Sequence, residues 1–519
     1  MSSDRAFLQL NPDVLRLIFA LNADIFSNPS ALLDTRLASQ VCRSWRDVAL
    51  SSPSLWGRLI DLEEFSNEAN RDHSWVEEIL RRSGDSLLWI RAYGRGCSSP
   101  VFIELLAKHW HRIQRLVLHV PLKALSAFSE SDCTPEIRQV FERWPSIRLF
   151  ADNVPFLREF HAPLYLKFDI QADWLAQLSS LRIGQPFAIQ DVISCLQKTP
   201  NLEYLYVDHL EGTAKQFPPH VVLHLPNVSH CLLYSDFKSS ITLLERLDIP
   251  SRCHVKVRPG NLVLKNMSLE FLESSFKLLS TITHRYLQTQ QSREMHLKLL
   301  LSLRSFLLRD ETPCDDLGNF EIFIMLDAQC PPHLLTFLFS EFAFAELSKV
   351  TELDLFFSVG NITKEATTFL SAFSSLKTIG ILNKETLRNF QINFRQDGQP
   401  EDASRIMYPF VDVVKISFHI PWSSAHIIGK DGVIHQLLKS RLEQGYPIKV
   451  LDLSQGRAER TLPLQYLEEF QGMRVVWADK HNWKILEYEC GSGHPEMLPK
   501  SFDFLDEMLL LPLELSMSR

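Results

Sequence analysis

A short pattern of apolar positions, apolar-x-x-apolar-x-apolar, recurs along most of the chain. Its copies begin at residues 87, 113, 157, 178, 202, 228, 244, 350, 376 and 448. The middle positions Leu181 and Leu205 are 24 residues apart, and Leu353 and Ile379 are 26 residues apart. Such alternation predicts short strands whose last two pattern positions point inward, and the spacing is typical of stacked repeats. One unit cannot bury its apolar face alone, so this repeat pattern predicts a stack of strands joined by helix-like stretches.

A helical pattern occupies the N-terminal segment. Asn11 is a suitable N-cap, Pro12 fits the first helical position, and Asp13 places negative charge at the positive end of the helix dipole. An apolar stripe follows at Val14, Leu15, Ile18 and Phe19. A second helix is predicted over residues 30–50, with one apolar side at Leu33, Leu37, Val41, Trp45 and Val48. A block of roughly 45 residues is near the lower size limit for folding alone, so we expect part of its apolar surface to meet another protein.

The same segment resembles the F-box. The family pattern starts with Leu-x-Pro-x-acidic/apolar-Leu at Leu10–Leu15, continues with Val-Cys-Arg-x-Trp-Arg at Val41–Arg46, and closes with Pro-x-Leu-Trp at Pro53–Trp56. The insert Asn22–Ser30 is a departure that lengthens the first loop. The resemblance implies binding to a Skp-type adaptor and, through it, to a cullin–RING ubiquitin ligase. The residues that it implies for the adaptor interface are Leu10, Pro12, Leu15, Ile18, Phe19, Val41 and Trp45.

The repeat pattern resembles the degenerate leucine-rich repeats of fungal F-box proteins. The Asn or Cys expected after each strand is missing from most copies. The predicted fold class is α/β: an N-terminal three-helix F-box-like module followed by an irregular leucine-rich-repeat-like solenoid. An irregular α/β domain with a parallel sheet is the main alternative. The predicted domains are residues 1–60 for the adaptor-binding module, 61–84 for a linker helix, 85–480 for the substrate-recognition domain and 481–519 for a C-terminal cap or tail.

Three stretches carry predictions of their own. Residues 268–310 are typical of long amphipathic helices, and residues 319–326 of a buried strand. Residues 429–432, Gly-Lys-Asp-Gly, resemble the Gly-x-x-Gly loop with which KH domains grip a nucleic-acid backbone. Asp431 places a negative charge where phosphates would lie, and the surroundings are only mildly basic. RNA binding here is therefore an alternative that the local charge does not favour.

Composition narrows the class of protein. The chain has 519 residues and a formal net charge of −8, with no Lys/Arg-rich run, so a basic nucleic-acid surface is not expected. Its nine cysteines are widely spread without a Cys-x-x-Cys pair, which indicates free thiols in the cytoplasm or nucleus rather than disulfides or zinc. Charged residues interrupt the N-terminus and no apolar run reaches about 18 residues, so neither a signal peptide nor a membrane span is expected.

Candidate chemistry is sparse. No catalytic-serine, phosphate-binding or dinucleotide-binding motif is present. His109 and His111 do not share a helical face, which argues against a metal pair. We therefore expect no enzymatic activity, no cofactor and no metal.

Strand positions that alternate with the core are the best candidates for binding. In a solenoid such positions line one face, where aromatic and charged side chains bind partners. The predicted substrate-binding residues are Arg115, His119, Tyr204, Tyr206, Asp208, Glu352, Asp354 and Phe356. The predicted function is a substrate-recognition subunit of a Skp–cullin–F-box ubiquitin ligase that binds an unknown protein. A leucine-rich-repeat scaffold without a ligase role is the second hypothesis.

Overall fold

The contacts of the computed structural model divide the chain into two compact units. Unit 1 comprises Met1–Cys253 and unit 2 comprises His254–Arg519. This boundary falls inside the predicted recognition domain, residues 85–480. The residues that the structure describes are 10–62, 74–93, 104–105, 108–119, 154–161, 168–184, 187–210, 222–259, 267–290, 293–302, 305–313, 320–325, 332–358, 364–393, 408–417, 429–455, 464–478 and 484–498.

Helices and strands follow each other through both units, so the protein is a mixed α/β chain, as predicted. The helices are α1 Pro12–Asn22, α2 Ala31–Val41, α3 Arg43–Leu50, α4 Pro53–Trp56, α5 Ser74–Ser83, α6 Ile189–Leu196, α7 Phe237–Leu244, α8 Leu269–Thr289, α9 Pro332–Phe342, α10 Lys364–Ser371, α11 Lys384–Asn393 and α12 Val433–Glu443. The strands of unit 1 are β1 Ile60–Asp61, β2 Leu88–Tyr93, β3 Ile113–His119, β4 Glu159–His161, β5 Ser180–Gly184, β6 Tyr204–Asp208, β7 Leu223–His224, β8 His230–Tyr234 and β9 Leu247–Asp248. The strands of unit 2 are β10 His254–Val257, β11 Met295–Ser302, β12 Ser305–Asp310, β13 Glu321–Met325, β14 Val350–Phe357, β15 Thr378–Ile381, β16 Val413–Ile416, β17 Val450–Asp452, β18 Arg474–Ala478 and β19 Ile485–Glu489. No helix in these described ranges is both long and apolar enough to cross a membrane.

Unit 1 is built around a parallel sheet of strands β1 to β6 and β8. Each of these strands pairs with the next one in this order. Middle positions of the repeat pattern face each other across neighbouring strands, in the register pairs Ile90–Leu116, Leu116–Phe160, Phe160–Leu181, Leu181–Leu205 and Leu205–Cys231. All six of these side chains are buried. The repeat pattern therefore marks one continuous apolar column in the core of unit 1.

Unit 2 contains a mixed sheet with a similar column. Strand β10 runs parallel to β13, while β13, β12 and β11 are antiparallel neighbours. Strands β11 and β14 to β18 run parallel, and β19 lies antiparallel to β18. The buried column consists of Leu297, Leu353, Ile379, Val414, Leu451 and Val475. Side chains alternate along a strand, so the residues between these buried positions point to the opposite face of the sheet.

Aromatic packing and helix caps set the local structure. The ring of Phe160 meets the edge of Trp174, with centroids 5.1 Å apart. Asp236 caps α7 by accepting a hydrogen bond from the backbone N–H of Ser239 at 2.9 Å. Gly84 follows the last residue of α5 with a φ of +50°, a backbone conformation that favours glycine and ends the helix.

Three predicted elements are wrong in part. Residues 268–310 hold one helix, α8, followed by strands β11 and β12, because burial alternates residue by residue from Met295 onwards. The helix predicted over residues 30–50 divides at Cys42, whose backbone is extended. The pattern copy that begins at Leu244 ends in β9, which pairs only with β7 among the described strands. Within residues 481–519, which were predicted as a C-terminal cap or tail, β19 joins the sheet beside β18.

Candidate functional site

The N-terminal helices begin as the sequence predicts. Asn11 Oδ1 accepts a hydrogen bond from the backbone N–H of Asp13 at 2.8 Å, and Pro12 occupies the first turn of α1. Trp56 Nε1 donates to the backbone carbonyl of Ala49 at 2.8 Å. These bonds fix the start of α1 and tie α4 to α3.

Two apolar stripes on α1 and α2 stay exposed. The stripe on α1 has the spacing i, i+3, i+4, i+7 of one helix face and consists of Val14, Leu17, Ile18 and Leu21. The stripe on α2 has the spacing i, i+4, i+8 and consists of Leu33, Leu37 and Val41. Leu21 is 70% exposed and Leu17 is 62% exposed. Contiguous exposed apolar residues mark protein interaction sites, and we refer to these seven residues as the exposed stripes.

The residues predicted at the adaptor interface divide between the interior and the surface. Leu15 is 1% exposed and Phe19 is 3% exposed, so both pack inside the helical module. Trp45 is half-buried and meets the ring of Phe19 edge-on, with centroids 5.4 Å apart. The remaining predicted residues are exposed at Pro12, Ile18 and Val41 and half-buried at Leu10. The prediction omitted Leu17 and Leu21, although their helical spacing from Val14 is visible in the sequence.

The insert Asn22–Ser30 joins the helical module to the sheet of unit 1. Ile25 is buried, and its backbone carbonyl accepts a hydrogen bond from the guanidinium of Arg91 on β2. Arg91 also forms a buried ion pair with Asp61 on β1, in which Nε donates to Oδ2 at 3.0 Å. The departure from the F-box pattern is therefore a segment that attaches α1 and α2 to the sheet.

Arg115 was predicted to bind substrate, but it contacts the insert Asn22–Ser30 where the insert meets the sheet. Its guanidinium lies 4.2 Å from the ring centroid of Phe26 and 4.5 Å from that of Trp89. Its Nε lies 2.7 Å from Oε2 of Glu159. Burial raises the pKa of Glu159 above its ordinary value, and the charge of Arg115 opposes that rise. These contacts give Arg115 a structural role. The side chain of His119, another predicted substrate-binding residue, lies outside the described residues.

A patch of half-exposed aromatic rings covers one face of β6 and β8. The ring of Tyr204 stacks on His230, with centroids 4.8 Å apart, and the ring of Tyr206 stacks on Tyr234 at 5.0 Å. These positions alternate with buried apolar residues, so they lie on the face away from the apolar column. The prediction included Tyr204 and Tyr206. It omitted the two partner rings, which occupy the facing strand one repeat later.

Arg182 and Asp208 complete this aromatic patch. Arg182 Nη2 lies 2.7 Å from Asp208 Oδ2, and the guanidinium lies 4.2 Å from the ring centroid of Tyr206. Asp208 is buried, whereas the sequence predicted it on the open face. The opposite charges of Arg182 and Asp208 are therefore paired beside the aromatic rings.

A cluster of charged residues lies on one face of the sheet in unit 2. The predicted residues Glu352, Asp354 and Phe356 on β14 are half-buried and alternate with buried apolar residues. His296 Nε2 lies 3.1 Å from Asp354 Oδ2 and 3.7 Å from Glu352 Oε1. Lys415 on β16 forms an ion pair with Glu352. The prediction omitted His296 and Lys415, which hold outward positions on other strands of the same sheet.

The Gly-x-x-Gly segment forms a turn before a helix. Gly432 is the N-cap of α12, and Asp431 has a left-handed backbone with a φ of +65°. The Asp431 side chain is 83% exposed. An exposed carboxylate at this turn repels phosphate. Residues 418–428, which precede this segment, lie outside the described residues.

Burial disfavours the thiolate form of several cysteines. It raises the pKa of Cys195 and of Cys231 to about 12. Burial also raises the pKa of Cys490 to about 12. Only the thiolate is a nucleophile or metal ligand, so these cysteines are inert at neutral pH. Cys42, between α2 and α3, is half-buried.

A scan of the sequence against protein-family models found no match, and a search of the curated proteins found none either. Three features of the chain itself therefore bear on its function. They are the exposed stripes on α1 and α2, the aromatic patch of unit 1 and the charged cluster of unit 2.

Proposed function

We propose that this chain is the substrate-recognition subunit of a Skp–cullin–F-box ubiquitin ligase. In this proposal the F-box-like helices α1 to α3 bind a Skp-type adaptor, and the strand faces of a leucine-rich-repeat-like solenoid bind a protein substrate. The chain carries out no covalent chemistry. It holds a substrate lysine near a charged conjugating enzyme, which raises the effective concentration of the lysine.

The exposed stripes are the observation that carries the proposal. Leu15 and Phe19 already form the interior of the helical module, so the opposite side of α1 has no packing role within it. Burying one exposed leucine stabilises a complex by about 1.5–3 kcal/mol before association costs are subtracted. Two neighbouring helices that each present an apolar stripe are therefore suited to a helical protein partner.

Adaptor binding by purified proteins tests the proposal. We expect the full chain to bind a purified Skp-type adaptor, and Leu17→Asp combined with Leu21→Asp to weaken binding by about 30-fold or more, since central apolar contacts contribute about 2 kcal/mol or more. The double variant should keep the thermal unfolding temperature of the native chain, because both positions are exposed. Isothermal titration calorimetry measures the affinity.

A matched control separates loss of contact from added charge. Phe410 is 65% exposed on unit 2, far in sequence from α1, so Phe410→Asp adds the same charge at an exposed apolar site. We expect this variant to bind the adaptor like the native chain. Absence of adaptor binding by the native chain, or undiminished binding by the double variant, refutes the ligase assignment.

The aromatic patch supports the substrate half of the proposal. Tyrosine rings combine a large apolar area with a polar tip and are enriched among residues that dominate interface energies. Tyr206 lies between Tyr234 and the guanidinium of Arg182, so its ring is held in place before any partner arrives. Such preorganisation lowers the entropic cost of binding.

The second candidate function is a scaffold without a ligase role. The contacts of Arg91 with Ile25 and Asp61 favour it, because they attach the helical module to the sheet as an end cap would be attached. A cap, however, gains nothing from an exposed apolar side. The adaptor titration described above distinguishes the two candidates directly.

A further inference from the structure

The charged cluster of unit 2 brings together three side chains that commonly bind metal ions. His296 stands on β11, and Glu352 and Asp354 stand on the neighbouring parallel strand β14. One ligand atom from each of the three lies within 4.8 Å of the others. All three side chains are half-buried, so they are partly shielded from water.

The distances suit a small divalent cation. Nε2 of His296 lies 3.1 Å from Asp354 Oδ2 and 3.7 Å from Glu352 Oε1. Nitrogen and oxygen ligands at 2.0–2.1 Å from a tetrahedral zinc ion lie about 3.4 Å from each other, a value that these two distances bracket. One imidazole and two carboxylates also match the ligand types of zinc, cobalt and manganese sites.

The two carboxylates of the cluster are also compatible with a bound cation. A neutral imidazole that turned a lone pair towards two carboxylates would be repelled by them. Nε2 is shielded from solvent and has no well-aligned hydrogen-bond acceptor, although Asp354 is close. A metal ion between the imidazole nitrogen and the two carboxylates would remove this repulsion.

Two neighbours shape the cluster. The ammonium group of Lys415 pairs with Glu352 and neutralises part of its negative charge. Gly380 on β15 leaves room for Asp354, because a Cβ at position 380 would lie 1.9 Å from Asp354 Oδ1. A glycine facing this carboxylate lets it bend across the neighbouring strand while Oδ2 stays near His296.

We propose that unit 2 binds one divalent transition-metal ion of the zinc class through His296 Nε2 and the carboxylates of Glu352 and Asp354. Water completes the coordination. Lys415 leaves Glu352 when the ion binds, and any proton on His296 is released. The site adds a cation to a strand face whose acidic residues were expected to contact substrate, and it is independent of adaptor binding.

Titration of the full chain with Co²⁺ tests the proposal, because Co²⁺ substitutes for Zn²⁺ and reports its ligands in the visible spectrum. We expect the native chain to bind one more equivalent of Co²⁺ than His296→Ala, with bands typical of nitrogen and oxygen ligands. Asp354→Asn keeps the side-chain volume and should lower the affinity by at least ~10-fold. Lys415→Gln removes the competing ammonium and should raise the affinity.

A second histidine–carboxylate pair provides the matched control. His284 Nε2 lies 3.1 Å from Glu346 Oε2 in unit 2, so His284→Ala removes a similar contact elsewhere. We expect this variant to bind Co²⁺ like the native chain. Equal Co²⁺ binding by the native chain, Asp354→Asn and Lys415→Gln overturns the proposal and leaves the cluster as an ion-pair network only. These titrations use no adaptor, so their failure is distinct from failure of the ligase assignment.

Discussion

Arg91 on β2 forms a buried ion pair with Asp61 on β1, and the same guanidinium donates to the backbone carbonyl of Ile25. Removing one partner leaves an uncompensated charge in the interior, so we expect Arg91→Met to destabilise unit 1 by about 3–5 kcal/mol. Replacing both partners, in Asp61→Leu with Arg91→Met, should restore much of the loss. Urea unfolding followed by tryptophan fluorescence measures both effects.

An exposed arginine serves as the control for that experiment. Arg16 on α1 pairs with Asp13 at the surface, where salt bridges contribute little. We expect Arg16→Met to leave the unfolding curve unchanged. An Arg91→Met chain as stable as the native one would show that the buried pair does not hold the helical module on the sheet.

Alanine variants of Leu15 and Leu17 on α1 should distinguish an effect on stability from an effect on adaptor binding. Leu15 is buried, so Leu15→Ala should destabilise the helical module by about 2–5 kcal/mol through the lost contacts and the cavity. Leu17 is exposed, so Leu17→Ala should change the free energy of unfolding by less than about 0.5 kcal/mol and still weaken adaptor binding. Calorimetry of unfolding and of adaptor binding on both variants measures the contrast. Equal effects of both variants on stability would contradict the observed burial.

Glu78 should show a salt-dependent titration. Hydrogen bonds from Arg81 and then Arg82 lower the pKa of Glu78 from 4.5 to about 2. Since the folded pKa lies below the unfolded one, the pair stabilises α5 above about pH 4.5, and this contribution is lost as the pH falls towards 2. A carboxyl NMR titration should give a low midpoint that rises when salt is raised to about 1 M. A midpoint that does not respond to salt would argue against the two arginines as its cause.

Thiol reactivity should follow burial. We expect iodoacetamide to modify Cys42 in the native chain well before Cys195 or Cys231, because burial raises the pKa of the latter two to about 12. Peptide mass spectrometry after timed labelling gives the order of modification. Labelling in urea is the control, since all three should then react at similar rates. Early modification of Cys231 in the native chain would place that strand closer to solvent than described.

Gly380→Ala should disturb the charged cluster without removing a ligand. The added methyl group collides with Asp354 Oδ1, and the carboxylate can turn away because it is the end of a flexible side chain. We therefore expect weaker Co²⁺ binding, comparable to that of Asp354→Asn, with little change in unfolding temperature. Thr378→Ala, on the same strand at a half-exposed position, is the matched control. Native Co²⁺ affinity in Gly380→Ala would mean that this glycine does not position Asp354.

The strand register could be predicted from the sequence, because burial selects it. Leu181 and Leu205 occupy the same pattern position, and a slip of one residue would turn either strand's apolar side chains outward. Which side of α1 faces the core could not be predicted, since both Leu15 and Leu17 lie on apolar stripes.

The sequence also could not predict which side chains of different strands come into contact. His296 meets Asp354 because β11 pairs with β14, although β12 and β13 separate them along the chain. The residues around His296 and Asp354 do not specify that pairing. It depends on how β11, β12 and β13 are arranged in the sheet. The same holds for the insert Asn22–Ser30, whose contacts with Arg91 and Arg115 are made with distant strands.

The attachment of the insert to β2 has a consequence for which lysines could be modified under the proposed function. Since α1 and α2 are joined to the sheet by Arg91 rather than by a free linker, an adaptor bound to these helices would be held at a fixed angle and distance from the aromatic patch. The complex would then select a substrate lysine by its distance from the segment bound at the aromatic patch. The sequence around that lysine would not decide the selection. Lengthening the insert would move that range.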